Sequence, residues 1–576
     1  MTTFLLMIGV FIGYIFMYRL YGKYISVKIF KIDENAIVPS IAQEDGIDFV
    51  PSKKEVVFGH HFASIAGTGP IVGPAIAVIW GWVPAVIWVF FGSIFIGAVH
   101  DFGVLIVSLR NKGVSIAKFT EKYINRRTKV FFFIIGFFEL WIFISILGMI
   151  MAVIFDLFPT SVFPLWIEIP IAVTLGIMVF DKGMSLMKWS IVAVIIMYIT
   201  VVIGNYLPIR VTEFMGIPAT GIWTIILLIY AYIASVLPVN KLLLPRDLIN
   251  SHQLIIAMGL LVIGIIISSF FNNLEFVAPA VNLHPAGAPP IWPFIFIIIA
   301  CGAVSGFHAI VSSGTSAKQI SNEKDSLFVG YGSMLMEGGL AILVIIAVAA
   351  GIGLGYKNAD GEMLIGSQAW TSHYASWAAA QGLGSKISAF VIGSANMIAS
   401  TGFPKDIAIV VMGVFVASFA GTSLDTSTRL QRYFISELLP GDSTKPNIFQ
   451  NRYFTSFLVV GTAMLLAFNT GADGKGALKL WPLFGTINQI LATLALIILT
   501  IYLKRKGGIK WIITGLPAIF MGIVTIWAAI INQVDYYEQH SVLLQVVNFI
   551  VTLLALAVTF EGIVSFFKKP NKIVQG

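Results

Sequence analysis

Apolar stretches of about twenty residues recur from one end of this chain to the other, and few of them hold a charge. A stretch of that kind is long enough to cross the hydrocarbon core of a bilayer as a helix, which satisfies its own backbone there. Of the 576 residues, 58% are hydrophobic and 11% charged, well under the roughly 25% charge of soluble domains. The chain therefore reads as an all-α polytopic membrane protein whose partner is the lipid bilayer. Residues 1–24 lack a basic leader or a small-residue cleavage site and read as a retained span. The formal charge of +8 is no evidence for nucleic acid, because basic loops on one side of a membrane produce it unaided. Cys301 is the single cysteine, so an internal disulfide is excluded and haem or iron–sulfur ligation disfavoured. No cofactor and no metal is expected.

Spans are expected at about 3–20, 58–79, 82–109, 130–155, 167–180, 186–206, 222–240, 252–271, 292–316, 326–351, 407–438, 453–469, 483–503, 511–531 and 542–566, about fifteen crossings. The loop at 110–129 carries Arg110, Lys112, Lys118, Lys122, Arg126, Arg127 and Lys129 against one acid, Glu121. An excess of basic residues marks the cytoplasmic side, which places the N-terminus outside. Segment 387–403 is also apolar. If it crossed, Lys568, Lys569 and Lys572 would end outside; as a re-entrant or buried outside segment, it leaves them inside together with loops 440–452 and 504–510.

The second span is unlike the others. Its sequence, FGHHFASIAGTGPIVGPAIAVI at 58–79, holds two adjacent histidines, four glycines and two prolines. Gly67 and Gly69 permit non-helical angles, and Pro70 and Pro74 each remove a backbone donor. The run around Thr68 reads as an unwound middle whose freed carbonyls and amides face a cavity; a kinked, closely packed helix is the plainer alternative. His60, His61, Ser64, Gly67, Thr68, Gly69 and Pro70 are the candidate substrate residues here. Adjacent histidines point about 100° apart and do not converge on one metal ion, but either can carry a proton.

Other polar groups lie inside or at the ends of spans. Glu139 and Glu337 are intramembrane acids, which are costly there and face protein or cavity; both are candidates for ion coupling. Pro238 suggests a second discontinuous helix at 222–241, whose Asn240 and Lys241 would meet an anionic substrate, unless Lys241 only snorkels to the surface. Ser312 and Ser313 offer hydroxyl oxygens to a sodium-like site, with Gly67 contributing a carbonyl. Asp101, the neighbours Arg246 and Asp247, and the pair Asp425 and Arg429, four apart on one helix face, read as gating or structural. No GxxxxGK[ST], HExxH or TVGYG-like motif is present, so ATP hydrolysis, zinc proteolysis and a potassium filter find no support.

The runs GHHFASIAGTGPIVGPAIA at 59–77, WGWVPAVIWVFFGSIFIGAVHDF at 80–102, LPxxxLLLPRDxIN at 237–250, GFHAIVSSGTSAKQI at 306–320 and GTSLDTSTRLQRY at 421–433 together resemble the carbon starvation protein family. The resemblance covers essentially the whole chain. It implies kinship with the amino acid–polyamine–organocation superfamily and a five-plus-five inverted-repeat, LeuT-like core. On that basis 1–55 is an extra helix and loop, 56–439 a ten-helix core, and 440–576 about four further helices with a short basic tail. Span 58–79 becomes the first core helix, 222–240 the sixth, 292–316 the eighth and 407–438 the tenth. The resemblance further implies a secondary active transporter in the bacterial plasma membrane, importing peptides or pyruvate by alternating access with H+, or alternatively with Na+. A membrane-embedded sensor or enzyme is the reading of another class, and no nucleophile–base pair supports it.

Overall fold

The computed structural model describes residues 1–358, 360–439 and 447–568. Lys569 and Lys572, counted above in the basic tail, lie outside these. Among the described residues, twelve helices are long and apolar enough to cross a membrane, and the bent pair Lys54–Ala66 and Gly69–Trp80 makes a thirteenth. The interrupted run Ile291–Ile298 and Gly306–Gly314 and the shorter apolar helices Leu383–Ala399 and Arg452–Phe468 fall below that length.

The spans are not equivalent. Glu323–Leu354, Lys405–Leu438 and Gly476–Arg505 bury about nine-tenths of their apolar stretch, at 94%, 89% and 94%, whereas Thr2–Phe30 and Val542–Phe567 bury 22%. A helix apolar all round belongs in the interior, and one exposed over most of its surface faces lipid. Lys405–Leu438 packs lengthwise on Arg126–Leu157, and Gly476–Arg505 packs on both Gly306–Gly314 and Ile512–Glu538.

Leu383–Ala399 does not carry the chain across. It starts with Gly384 beside Val153 and Leu157, and the following helix has Gly413 beside Phe158 and Ser161, at the same corner. Between those points Gly393 lies against the backbone of Ala347 and Ile352. Two ends of the bundle can thus be told apart. At the basic end, Arg505 donates to the carbonyl of Tyr123 at 2.6 Å and Arg110 pairs with Glu323 at 2.5 Å. At the far end, the Trp377 amide donates to the Ala286 carbonyl at 2.9 Å.

Candidate functional site

The first broken helix parts at Gly67, whose φ of +46° is a left-handed value that glycine tolerates, and its halves meet at 41°. The second discontinuity is not in the 222–241 stretch. Ala219–Val236 is an unbroken helix, and Pro238 belongs to the turn that leads into Leu243–Phe271. The chain instead leaves helical geometry between Ile298 and Gly306. The second broken helix is therefore 291–314, expected as the eighth core element, and not the expected sixth.

The two breaks cross in contact. A Cβ on Gly69 would lie 2.4 Å from Cys301 Sγ, and one on Gly73 would lie 2.4 Å from the Ile298 carbonyl oxygen. Gly302 in turn sits over Pro70. A cavity of about 760 Å³ runs from the far-end residues Pro289, Trp377 and Gln539 down to Gly69, Ala300 and Cys301 at this crossing. Helices beyond residue 440 help to form it: Trp481, Phe484 and Asp535 are on its wall. Asn488 also holds the second break open, its Oδ1 accepting from Ser305 Oγ at 3.0 Å and from the Phe307 amide at 2.9 Å.

A chain of buried titratable groups ends at the same place. His100 Nδ1 lies 2.7 Å from Asp101 Oδ1, and His308 Nδ1 donates to Asp101 Oδ2 at 2.9 Å. His308 Nε2 then faces Glu337 Oε2 at 3.4 Å, and neither atom has a hydrogen-bond partner among the described residues. The other Glu337 oxygen accepts from the Gly302 amide at 3.0 Å, within the break. An imidazole lone pair and a carboxylate oxygen repel at that separation unless one of them carries a proton. The arrangement can therefore hold and pass a proton one residue from the cavity floor. Cys301, His308 and Glu337 also offer three donor atoms within 4.8 Å of one another, a set that a single metal ion could reach.

The sequence-predicted residues divide between this crossing and the basic half. Gly67 and Thr68 form the first break, Pro70 is in the first turn of the half that follows it, and Gly69 lines the cavity. His60, His61 and Ser64 are fully buried below it, where they fasten their helix to its neighbours. His60 Nδ1 lies 2.5 Å from Asp247 Oδ2 and its Nε2 2.9 Å from Thr315 Oγ1. His61 Nδ1 lies 2.8 Å from Ser316 Oγ, and Ser64 Oγ 2.9 Å from Thr426 Oγ1. Ser423, not the serine pair, stands beside Gly67, donating to the Ser64 carbonyl at 3.0 Å. Ser313 is engaged elsewhere, donating to the Ala309 carbonyl at 2.7 Å and accepting from the Ile116 amide at 3.0 Å, while Ser312 Oγ is buried without a partner.

Lys241 is at the basic end, half-exposed and paired with Asp181; neither it nor Asn240 reaches the cavity. Arg246 and Asp247 do not act as a pair, because consecutive helical residues diverge by about 100°. Arg246 binds Glu168 at 3.2 Å, Asp425 at 2.5 Å and the Tyr230 hydroxyl at 2.7 Å, whereas Asp247 turns to His60. Nor do Asp425 and Arg429 pair: Arg429 reaches Asp48 at 3.2 Å. Glu139 is fully buried, and among the described residues neither of its oxygens has a partner.

Asp48 closes the basic end. It accepts from Arg429, Arg432 at 3.3 Å and the Tyr433 hydroxyl at 2.5 Å. Its loop pairs by backbone with the chain beyond the second break, the Val50 and Ser52 amides donating to the carbonyls of Lys318 and Gln319. Burial alone would raise the Asp48 carboxyl, but Arg432, Arg429 and Lys318 outweigh it and hold the group down at about 2.

Two broken helices crossing under a cavity open at one end make this geometry comparable with known folds. The family profile described as carbon starvation protein CstA matches residues 1–528. The chain belongs to that family. Among its relatives, the peptide transporter CstA of Bacillus subtilis is 32% identical over 580 residues, covering 96% of this chain and 94% of that one. The pyruvate/proton symporter BtsT of Escherichia coli is 31% identical over 576 residues, covering 89% and 79%. In fold, this CstA-family chain resembles a manganese transporter of Eremococcus coleocola, with a TM-score of 0.51 at 10% identity over 91% of this chain and 98% of that one. The core is the five-plus-five inverted repeat, LeuT-like in design.

His308, Glu168 and Asp48 were not singled out from the sequence, and Cys301 was noted only as the single cysteine. Glu168 carried the same signal as Glu139, an acid inside an apolar run. His308 lay inside a quoted motif, but nothing in its spacing tied it to Asp101 or Glu337.

Proposed function

We propose that this protein is a secondary importer of small carbon sources, peptides or pyruvate, that works by alternating access and is driven by protons. It is placed in the bacterial plasma membrane with its N-terminus outside and its C-terminus in the cytoplasm, so that the basic end faces the cytoplasm and the cavity faces outside. The observation that carries the reading is a cavity reaching both helix breaks from the far end while the Asp48 loop closes the basic end. This is the outward-open half of an alternating-access cycle.

Proton coupling is favoured over sodium by where the oxygens are used. Ser423 is already hydrogen-bonded to the Ser64 carbonyl and Ser64 to Thr426, so the oxygens beside the first break are occupied by one another. The His308–Glu337 contact, by contrast, calls for a proton. The names of relatives agree, one being a pyruvate/proton symporter and several being peptide transporters. The test is uptake by purified protein in liposomes. Labelled pyruvate or dialanine should accumulate when the lumen is made alkaline, and should do so equally in potassium and sodium buffers. Accumulation that needs a sodium gradient would replace the proton by sodium; no accumulation of either cargo under either gradient would overturn the assignment.

A further inference from the structure

We infer that Lys386 is the carboxylate-recognition residue of the cavity, and that the cargo is selected as a carboxylate anion by this one ammonium group. The inference rests on the importer reading above but is tested separately from it. Lys386 is in the first turns of Leu383–Ala399, the segment that leaves and returns at the far end. It lines the cavity, yet its side chain is only 6% exposed. The only other charged residue on the wall is Asp535, and no carboxylate lies within ion-pair distance of the Lys386 ammonium among the described residues. Its one close aromatic neighbour is Trp481, with Nζ 5.8 Å from the ring centroid.

A buried lysine without a counter-ion is costly in a protein, and natural chains rarely keep one unless an anion completes it. The rest of the wall is mainly apolar or aromatic, with Val72, Ile76, Ile297, Phe484, Trp377 and Trp481, and its other polar side chains, Gln381, Asn532, Tyr536 and Gln539, are uncharged, so Lys386 is the one cation among the described wall residues. Such a wall with one placed charge is how a small-ligand site fixes orientation. The sequence offered Lys241 for this task, but that residue is spent on Asp181 at the opposite end. Pyruvate and the C-terminus of a peptide share the group that Lys386 would meet, and so the two cargoes share one determinant.

The experiment is calorimetric binding to detergent-purified, full-length protein, using pyruvate and dialanine beside their neutral counterparts methyl pyruvate and dialanine amide. Wild-type protein should prefer each acid over its neutral counterpart by about tenfold or more, the scale of one charge-assisted hydrogen bond. Lys386→Gln should abolish that preference by weakening the acids alone, and Lys386→Arg should restore most of it. If only pyruvate loses affinity in Lys386→Gln, the group read is a keto acid; if only dialanine does, it is a peptide terminus. Either outcome keeps the inference and names the source. Wild-type protein that binds acid and neutral forms alike, or binds none of the four, overturns it, as does a Lys386→Gln protein that keeps the preference. Acid-selective binding without liposome uptake would instead sink the importer reading and leave this one standing.

Discussion

His308 gives its Nδ1 hydrogen to Asp101 and turns its Nε2 toward Glu337. One proton shared across that gap removes the repulsion, and moving it away restores the repulsion beside the Gly302 amide. Replacing Glu337 by Gln keeps the shape and removes the exchangeable proton. Glu337→Gln should cut proton-driven accumulation by about tenfold or more, an effect of at least 1.4 kcal/mol, while cargo exchange at equal pH on both sides stays near wild type. Equal loss in both assays would make the residue structural. Glu139 has no partner to reward its charge, so Glu139→Gln should change stability by under about 1 kcal/mol and leave driven uptake intact, as thermal melting and the same liposome assay would show. Both acids were legible as costly charges inside spans. Their difference was not, since only folding brings His308 to one and, among the described residues, no basic group to the other.

Helical elements are held at this centre by missing side chains. Gly69 and Gly73 have no room for a Cβ against Cys301 and the Ile298 carbonyl. Gly69→Ala and Gly73→Ala should each lower stability by about 1–3 kcal/mol through overpacking, read as a fall in melting temperature. Gly259 is the control. It is inside Leu243–Phe271 and nothing lies within 4 Å of its would-be Cβ, so Gly259→Ala should be neutral or stabilise by up to about 1 kcal/mol. The first break could be read from the chain because glycine and proline crowd around Thr68. The second could not, because residues 299–305 contain no proline and stay apolar through Ala303 and Val304. There the chain turns at Gly302, whose φ is +93°, and Asn488 and Glu337 bond to the opened backbone, partners that only folding supplies. Pro238 misled for the opposite reason: a proline at a turn between spans disturbs no helix.

Across the whole molecule, the loop before the core and the helices after residue 440 are working parts. Asp48, drawn from the loop, anchors the closed basic end to Arg429 and Arg432. Its carboxyl is held at about 2, below its ordinary 3.8. A depressed acid stabilises the folded arrangement fully above the ordinary value and loses that contribution as pH falls through the depressed one. The closed end should therefore gain about 2 kcal/mol from this charge at neutral pH and lose it between about pH 4 and pH 2. Protection of the amides at residues 45–52, measured as the exchange rate relative to the intrinsic rate at each pH, should fall over that window, and should already be low at pH 7 in Asp48→Asn. The repeated helices of membrane-spanning length followed from apolar length. That the tail helices would wall the cavity did not, since burial between helices leaves no mark on hydropathy. One consequence follows from the crossing of the two breaks. The chain's only thiol, at Cys301, forms part of the cavity floor, so the unaltered protein carries its own reporter of sidedness. A membrane-impermeant maleimide should modify vesicles of one polarity and spare the other, with the balance reversing whenever cargo and proton turn the carrier over.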